Sequence, residues 1–242
     1  MKKLILSILF ILCLSFQASA LGPMMLLSGG GCGGTLNFVT GDTESFEFEV
    51  GDFCTTQFTE TDPDGIINSY DSAQYKNGGH SASFAWTGTG QDDNFVQANI
   101  GAGDDDFTYD FWVKPFDPEG YTSYLVATAT GLSGVNNDVG VQISVLYNGT
   151  GVILIRAQGA NNDTSTSLTP GNWHRVEVDY NRNGVSTVDI YDASNSLIDT
   201  LSLTANDFAV QYINFGCISS DADADQTIYF DDVRYKAAGG GF

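Results

Sequence analysis

Carboxylates are the commonest groups able to do chemistry here: 30 Asp and Glu stand against 9 Lys and Arg, for a net charge of −21. Three loops concentrate them: Asp62-Pro63-Asp64-Gly65, Asp104-Asp105-Asp106, and Asp221-Ala222-Asp223-Ala224-Asp225. Each offers two or three hard oxygens of the kind calcium takes. None has the Gly at the sixth position and the Glu at the twelfth that an EF-hand loop needs, so solvated acidic loops are the plainer reading. Patterns for catalysis are missing: no G-x-S-x-G, HExxH or P-loop occurs. The nearest approach to a glycosidase pair is Glu177-Val178-Asp179, two carboxylates on the outward phase of a strand. It lacks the second Glu that would set an acid and a nucleophile about 5–5.5 Å apart. A polysaccharide lyase would want cations for its uronate and a Tyr/His pair, and the few Arg, Lys and His argue against one. His80 follows two glycines in a turn, His174 is expected to point outward, and neither reads as a metal ligand or base. The expectation is a protein that binds and does not catalyse.

The charge also narrows the partners. A surface this acidic repels phosphate backbones, which argues against nucleic acid. Residues 1–20 read as a Sec signal peptide: Lys2-Lys3 is basic, Leu4 to Phe16 is apolar, and Ala18-Ser19-Ala20 is a small-x-small cleavage site. That apolar run is shorter than the roughly twenty residues a bilayer span needs. The expected location is therefore secreted, periplasmic or at the cell surface. Cys13 leaves with the signal, so Cys32, Cys54 and Cys217 remain as disulfide candidates, with the pairing open.

Positioning such residues falls to strands. Alternation of period two runs through Ser45 to Val50, Phe107 to Val113, Val139 to Leu146, Trp173 to Tyr180, Thr187 to Tyr191 and, with one break, Thr227 to Tyr235. Turn residues separate these runs, and Asn183-Gly184 between two strong strands predicts a hairpin. No window shows sustained helical periodicity. The prediction is an all-β fold, a two-sheet antiparallel jelly-roll sandwich over residues 44–236. A glycine-rich lead-in (21–43) and a loose tail (237–242) flank it. Trp112 and Trp173 fall on phases expected to face the core.

Four segments carry a family resemblance: Phe107 to Pro115 (FTYDFWVKP), Gly171 to Tyr180 (GNWHRVEVDY), Val188 to Leu203, and Ile228 to Tyr235 (IYFDDVRY). In these the chain resembles the concanavalin A-like jelly-roll superfamily, in particular the laminin-G-like domains of bacterial secreted and phage-associated proteins. Phe48 to Phe53 and Asn77 to Phe84 are similar to segments of β-sandwich carbohydrate-binding modules. The resemblance implies a structural calcium held by an acidic residue of the first strand, Glu49, and by Asp231 or Asp232 of the closing strand. Alternation would put one of that Asp pair inward beside Phe230 and Val233, where a buried carboxylate needs a partner. It also implies a glycan or other surface ligand, with Trp86, Tyr121 and Tyr124, on or beside loops, as expected contacts. A second class of function is open: a structural or adhesive protein that self-associates through residues 21–43.

Overall fold

The computed structural model describes residues 43–46, 58–61, 69–77, 81–86, 94–104, 106–115, 123–134, 138–147, 152–220 and 226–237. All of them belong to one compact unit, Gly31–Phe242. The strands are β1 (Thr43–Phe46), β2 (Phe58–Thr61), β3 (Ser69–Asp71), β4 (Ser81–Trp86) and β5 (Asn94–Asp104). Then follow β6 (Asp106–Lys114), β7 (Ser123–Thr130), β8 (Val139–Tyr147), β9 (Ile153–Gln158) and β10 (Asn162–Thr164). The chain ends with β11 (His174–Asn181), β12 (Val185–Tyr191), β13 (Leu197–Thr204), β14 (Val210–Ser220) and β15 (Gln226–Ala237). No helix occurs among the described residues.

The strands form two antiparallel sheets. One has eight strands in the order β13-β12-β11-β6-β15-β4-β3, with β1 added beside β15. The other has seven, in the order β10-β9-β8-β7-β14-β5-β2. Apart from Trp173, which precedes β11, every predicted alternating run between Phe107 and Tyr235 lies in one of these strands, and the expected two-sheet sandwich is what forms. Alternation is the reason: the even positions of β11 and the odd positions of β8 and β9 turn their apolar side chains to one shared core. Tyr109 and Phe111 of the eight-stranded sheet meet Phe215 of the seven-stranded one, and the Phe111 and Phe215 rings lie 5.2 Å apart nearly edge to face. Each such ring, fully buried, contributes about 1.5–3 kcal/mol relative to exposure.

The break in the closing strand is a bulge. From Asp231 to Arg234 β15 advances three residues while its partner β6 advances two, from Trp112 to Asp110. Asp232 takes the extra step in the left-handed region, at φ 50°. On its other side β15 pairs with β4 up to Phe230 and with β1 from Val233 onward. The bulge thus marks where the first strand joins the last. The predicted hairpin also forms, but Asn183 and Gly184 do not shape it alone: Asn181 Oδ1 accepts the Asn183 amide at 3.1 Å and closes the turn.

Candidate functional site

The outer face of the seven-stranded sheet carries a row of neutral polar side chains. Strand register places Gln97 opposite Asn214, Asn214 opposite Thr128, and Thr128 opposite Gln142. Gln142 lies opposite Gln158, and Gln158 opposite Asn162. Six neighbouring strands each contribute one amide or hydroxyl to this line. At about 4.8 Å between strands the row is about 24 Å long. Its central part is knitted: Gln97 Nε2 donates to Asn214 Oδ1 at 2.8 Å, Asn214 Nδ2 donates to Thr128 Oγ1 at 2.9 Å, and Ser133 Oγ donates to Gln97 Oε1 at 2.9 Å. Asn214 and Thr128 are fully buried, whereas Gln142 and Gln158 are half-buried. Buried amides satisfied in this way hold fixed orientations.

Two shorter rows flank it. Asn99, Tyr212 and Thr130 lie on one side; Ser144, Arg156 and Thr164 lie on the other. Phe95 and Leu125 form a small apolar cluster apart from the core. Among the described residues of this face there is no carboxylate, although the chain holds 30 Asp and Glu. The cation among these described residues is Arg156, whose Nε is buried with no hydrogen-bond partner.

The outer face of the eight-stranded sheet is the reverse, densely ionic and covered. Asp110 is fully buried and accepts from Arg234 Nε at 2.8 Å, from the Arg234 terminal nitrogen, and from Arg175 at 3.2 Å. Arg175 also pairs with Glu177 at 3.2 Å and stacks over the Tyr191 ring at 4.0 Å. Burial pushes the Asp110 carboxyl up to about 6 even though both guanidinium groups oppose the shift. Burial likewise raises Glu177. Residues 71–77 fold across this face: Lys76 Nζ lies 4.4 Å over the Trp112 ring and donates to Ala193 O at 2.8 Å. An interlocked set of ion pairs under a covering segment holds the strands together and leaves little room for a ligand.

Several expected site residues gather at the bulge. Asp231 is fully buried, yet it does not face the core with Phe230: it lies in register with Trp112, on the covered outer face. Alternation from Phe230 already turns Asp231 outward; the bulge absorbs Asp232 before Val233 returns to the core, so neither aspartate faces inward. Asp231 finds its partners in the main chain. Its Oδ2 accepts the Lys76 and Asn77 amides at 2.7 and 2.9 Å, and its Oδ1 accepts the Asp232 amide at 2.8 Å. Burial still raises this carboxyl to about 6, against those amides. Asp232 Oδ2 accepts from Asn77 Nδ2 at 3.0 Å. Among the described residues no three His, Cys, Asp or Glu converge as a metal would need. Glu49 lies outside the described residues.

Trp86 ends β4, in the eight-stranded sheet, and Tyr124 lies in β7, in the other. Tyr121, Cys32, Cys54 and His80 lie outside the described residues, as does the lead-in 21–43 apart from Thr43, which opens β1. Cys217 lies in β14 opposite Asn94. Three sequence expectations are corrected. Trp112 is not a core residue but lies under Lys76 on the outer face, because a covering loop can bury a tryptophan as well as a second sheet can. Trp173 precedes β11 and is only half-buried. His174 does not point outward; it shares the inward phase of Val176 and Val178, its Nε2 is 3.3 Å from Thr169 O, and burial lowers its pKa. The neutral row was missed altogether. Its signal was present in the outward positions of Val139 to Leu146 and Ile153 to Gln158, where Gln142, Ser144, Arg156 and Gln158 stand beside the facing pair Leu146 and Leu154 and no acid occurs.

No known family model and no curated protein matches the sequence. Solved structures do match in fold. An endo-β-1,4-glucuronan lyase from the fungus Trichoderma reesei aligns over 81% of this chain and 95% of its own, at TM-score 0.58 and 13% identity. A protein of unknown function from Shewanella oneidensis aligns over 86% and 93%, at TM-score 0.55 and 11% identity. The receptor-binding domain of botulinum neurotoxin type G covers 83% of this chain and 49% of its own, at TM-score 0.50 and 14% identity. At such identities the likeness is one of fold, and the chain is an all-β, two-sheet antiparallel sandwich of the architecture these proteins share.

Proposed function

We propose that this protein is a secreted, non-catalytic carbohydrate-binding sandwich that lays an extended glycan along the outer face of its seven-stranded sheet. The observation that carries the reading is the uncharged row from Gln97 to Asn162, six strands wide. Amides and hydroxyls both donate and accept, so they match sugar hydroxyls without the desolvation cost of an ion. Asn214 and Thr128 are buried, so the part of the row open to a ligand runs through Gln142, Gln158 and Asn162, three strands and about 10 Å, which suits a short stretch of an oligomer. One fold neighbour is a lyase of glucuronan and another is a receptor-binding domain, so the architecture serves both a carbohydrate enzyme and a binding domain. Against catalysis, the ionisable groups among the described residues of this face are Tyr212 and Arg156. Neither an imidazole nor a carboxylate stands there to exchange a proton near neutral pH.

A structural calcium remains part of the proposal at Glu49 and Asp232; Asp231 already has three main-chain donors. The test of function is affinity electrophoresis of the mature protein through a panel of soluble polysaccharides, run beside an assay for new reducing ends and unsaturated products. Retardation by at least one polysaccharide without product formation is expected, and the double variant Gln142→Ala/Gln158→Ala should migrate freely. Product formation would make the protein an enzyme, and no retardation by any polysaccharide would end the glycan reading.

A further inference from the structure

We infer that the glycan is acidic and that Arg156 binds its carboxylate, an inference that rests on the glycan-binding reading above. Beyond Lys2 and Lys3 the chain has seven Lys and Arg. Six are engaged. Arg175 and Arg234 share Asp110, Arg182 pairs with Asp207 at 2.6 Å, and Lys76 caps Ala193 O. Lys114 donates to Gln74, and Lys236 has contacts of its own. Arg156 is different. Its Nε is buried without an acceptor, and no carboxylate stands among the described residues of its face.

That is an unusual place for an arginine. A buried donor left without an acceptor is destabilising, and in a chain with this many acids a partner could have been supplied from almost any neighbouring strand. Instead the flanking positions are hydroxyls: Ser144 on β8 and Thr164 on β10 lie directly opposite Arg156, with Gln142 the next outward residue on β8 and Gln158 the next on β9. A guanidinium takes a carboxylate through two parallel N–H donors; Nε is enclosed, so here these would be the two terminal nitrogens, and the adjacent hydroxyls and amides can take the sugar oxygens beside them.

The charge map selects the same ligand. At net −21 the molecule repels a polyanion over most of its surface. A face whose described residues hold no carboxylate and one arginine with an unsatisfied Nε is where a polyanion can land. A neutral glycan requires no such clearing, because a carboxylate accepts well from sugar hydroxyls. The ligand class is therefore a uronic-acid-bearing oligosaccharide, with one carboxylate seated on Arg156.

The experiment is calorimetric titration of the mature protein with a 1,4-linked uronic acid oligomer and with the same oligomer after reduction of its carboxyls. The acid form should bind about tenfold or more tightly, by an amount that shrinks as salt is raised. Arg156→Gln should remove that preference, and Arg156→Lys should restore part of it, since an ammonium supplies charge but not the paired donors. Unchanged melting of both variants confirms that they fold. If the two oligomers bind alike and Arg156→Gln changes nothing, the acidic-ligand inference fails while glycan binding stands. If the protein binds neither these oligomers nor any neutral polysaccharide, both fail together.

Discussion

Gln97 Nε2 donates to Asn214 Oδ1 at 2.8 Å across the β5–β14 pair, joining residues 117 positions apart on the outer face of the seven-stranded sheet. Asn214 passes the chain on to Thr128 and Thr130 on β7, at 2.9 and 3.4 Å. Asn214→Ala strips acceptor and donor from buried neighbours at once. It should cost about 1–3 kcal/mol of stability, and its melting temperature should fall by several degrees, at roughly 2–4 °C per kcal/mol for a domain of this size. A melting curve that overlays the wild type would mean the network is dispensable.

Asp110 holds the opposite face. Removing it leaves Arg175 and Arg234 without their shared acceptor in a covered site. Asp110→Ala is expected to cost about 3–5 kcal/mol, the usual penalty for breaking a buried pair on one side. Denaturant unfolding measures it directly, and a loss below about 1 kcal/mol would show that solvent reaches the pair as it does at the surface.

The pH dependence has a definite sign. Asp110 and Asp231 both sit near 6 in the folded protein against an ordinary 3.8, chiefly through burial. Between those values the folded chain holds more protons than the unfolded one, so stability rises as pH falls through about 6 toward about 4. Denaturant midpoints should therefore be higher near pH 5 than near pH 7. Asp231→Asn, which cannot ionise, should flatten part of the difference. A midpoint that drops over this interval would contradict the assignment of both carboxyls.

Calcium is tested by melting the mature protein with the ion and with EDTA. The proposed site predicts a calcium-dependent rise that disappears in Glu49→Ala and in Asp232→Ala. If calcium leaves the transition unmoved, the main-chain amides around Asp231 suffice to join the two ends of the sheet and the metal is not needed.

Most of the fold was legible because alternation is a local signal. Phe107 to Val113 and Val139 to Leu146 state their own faces, and the single break in Thr227 to Tyr235 announced the bulge. What the break does was not legible. The left-handed step at Asp232 lets Val233 turn back to the core with no aspartate inward, and Asp231 is satisfied by a loop more than 150 residues earlier that supplies the Lys76 and Asn77 amides. Trp112 failed for a similar reason: alternation says that a residue is on one face or the other, but not which face a distant segment will cover. The neutral row needed strand order. Gln97, Thr128, Gln142 and Asn214 are scattered in sequence and become a line only when β5, β14, β7 and β8 stand side by side.

The central claim, that a glycan lies along this row, is met most directly by following the side-chain amide resonances of Gln97, Gln142, Gln158 and Asn214 while an oligosaccharide that retards the protein is titrated in. The account predicts saturable shifts at Gln142 and Gln158, smaller ones at the buried Gln97 and Asn214, and none around Trp112 and Asp110 on the ionic face. Shifts that instead cluster near Trp86 or in the lead-in, with these four amides unmoved at saturation, would contradict it.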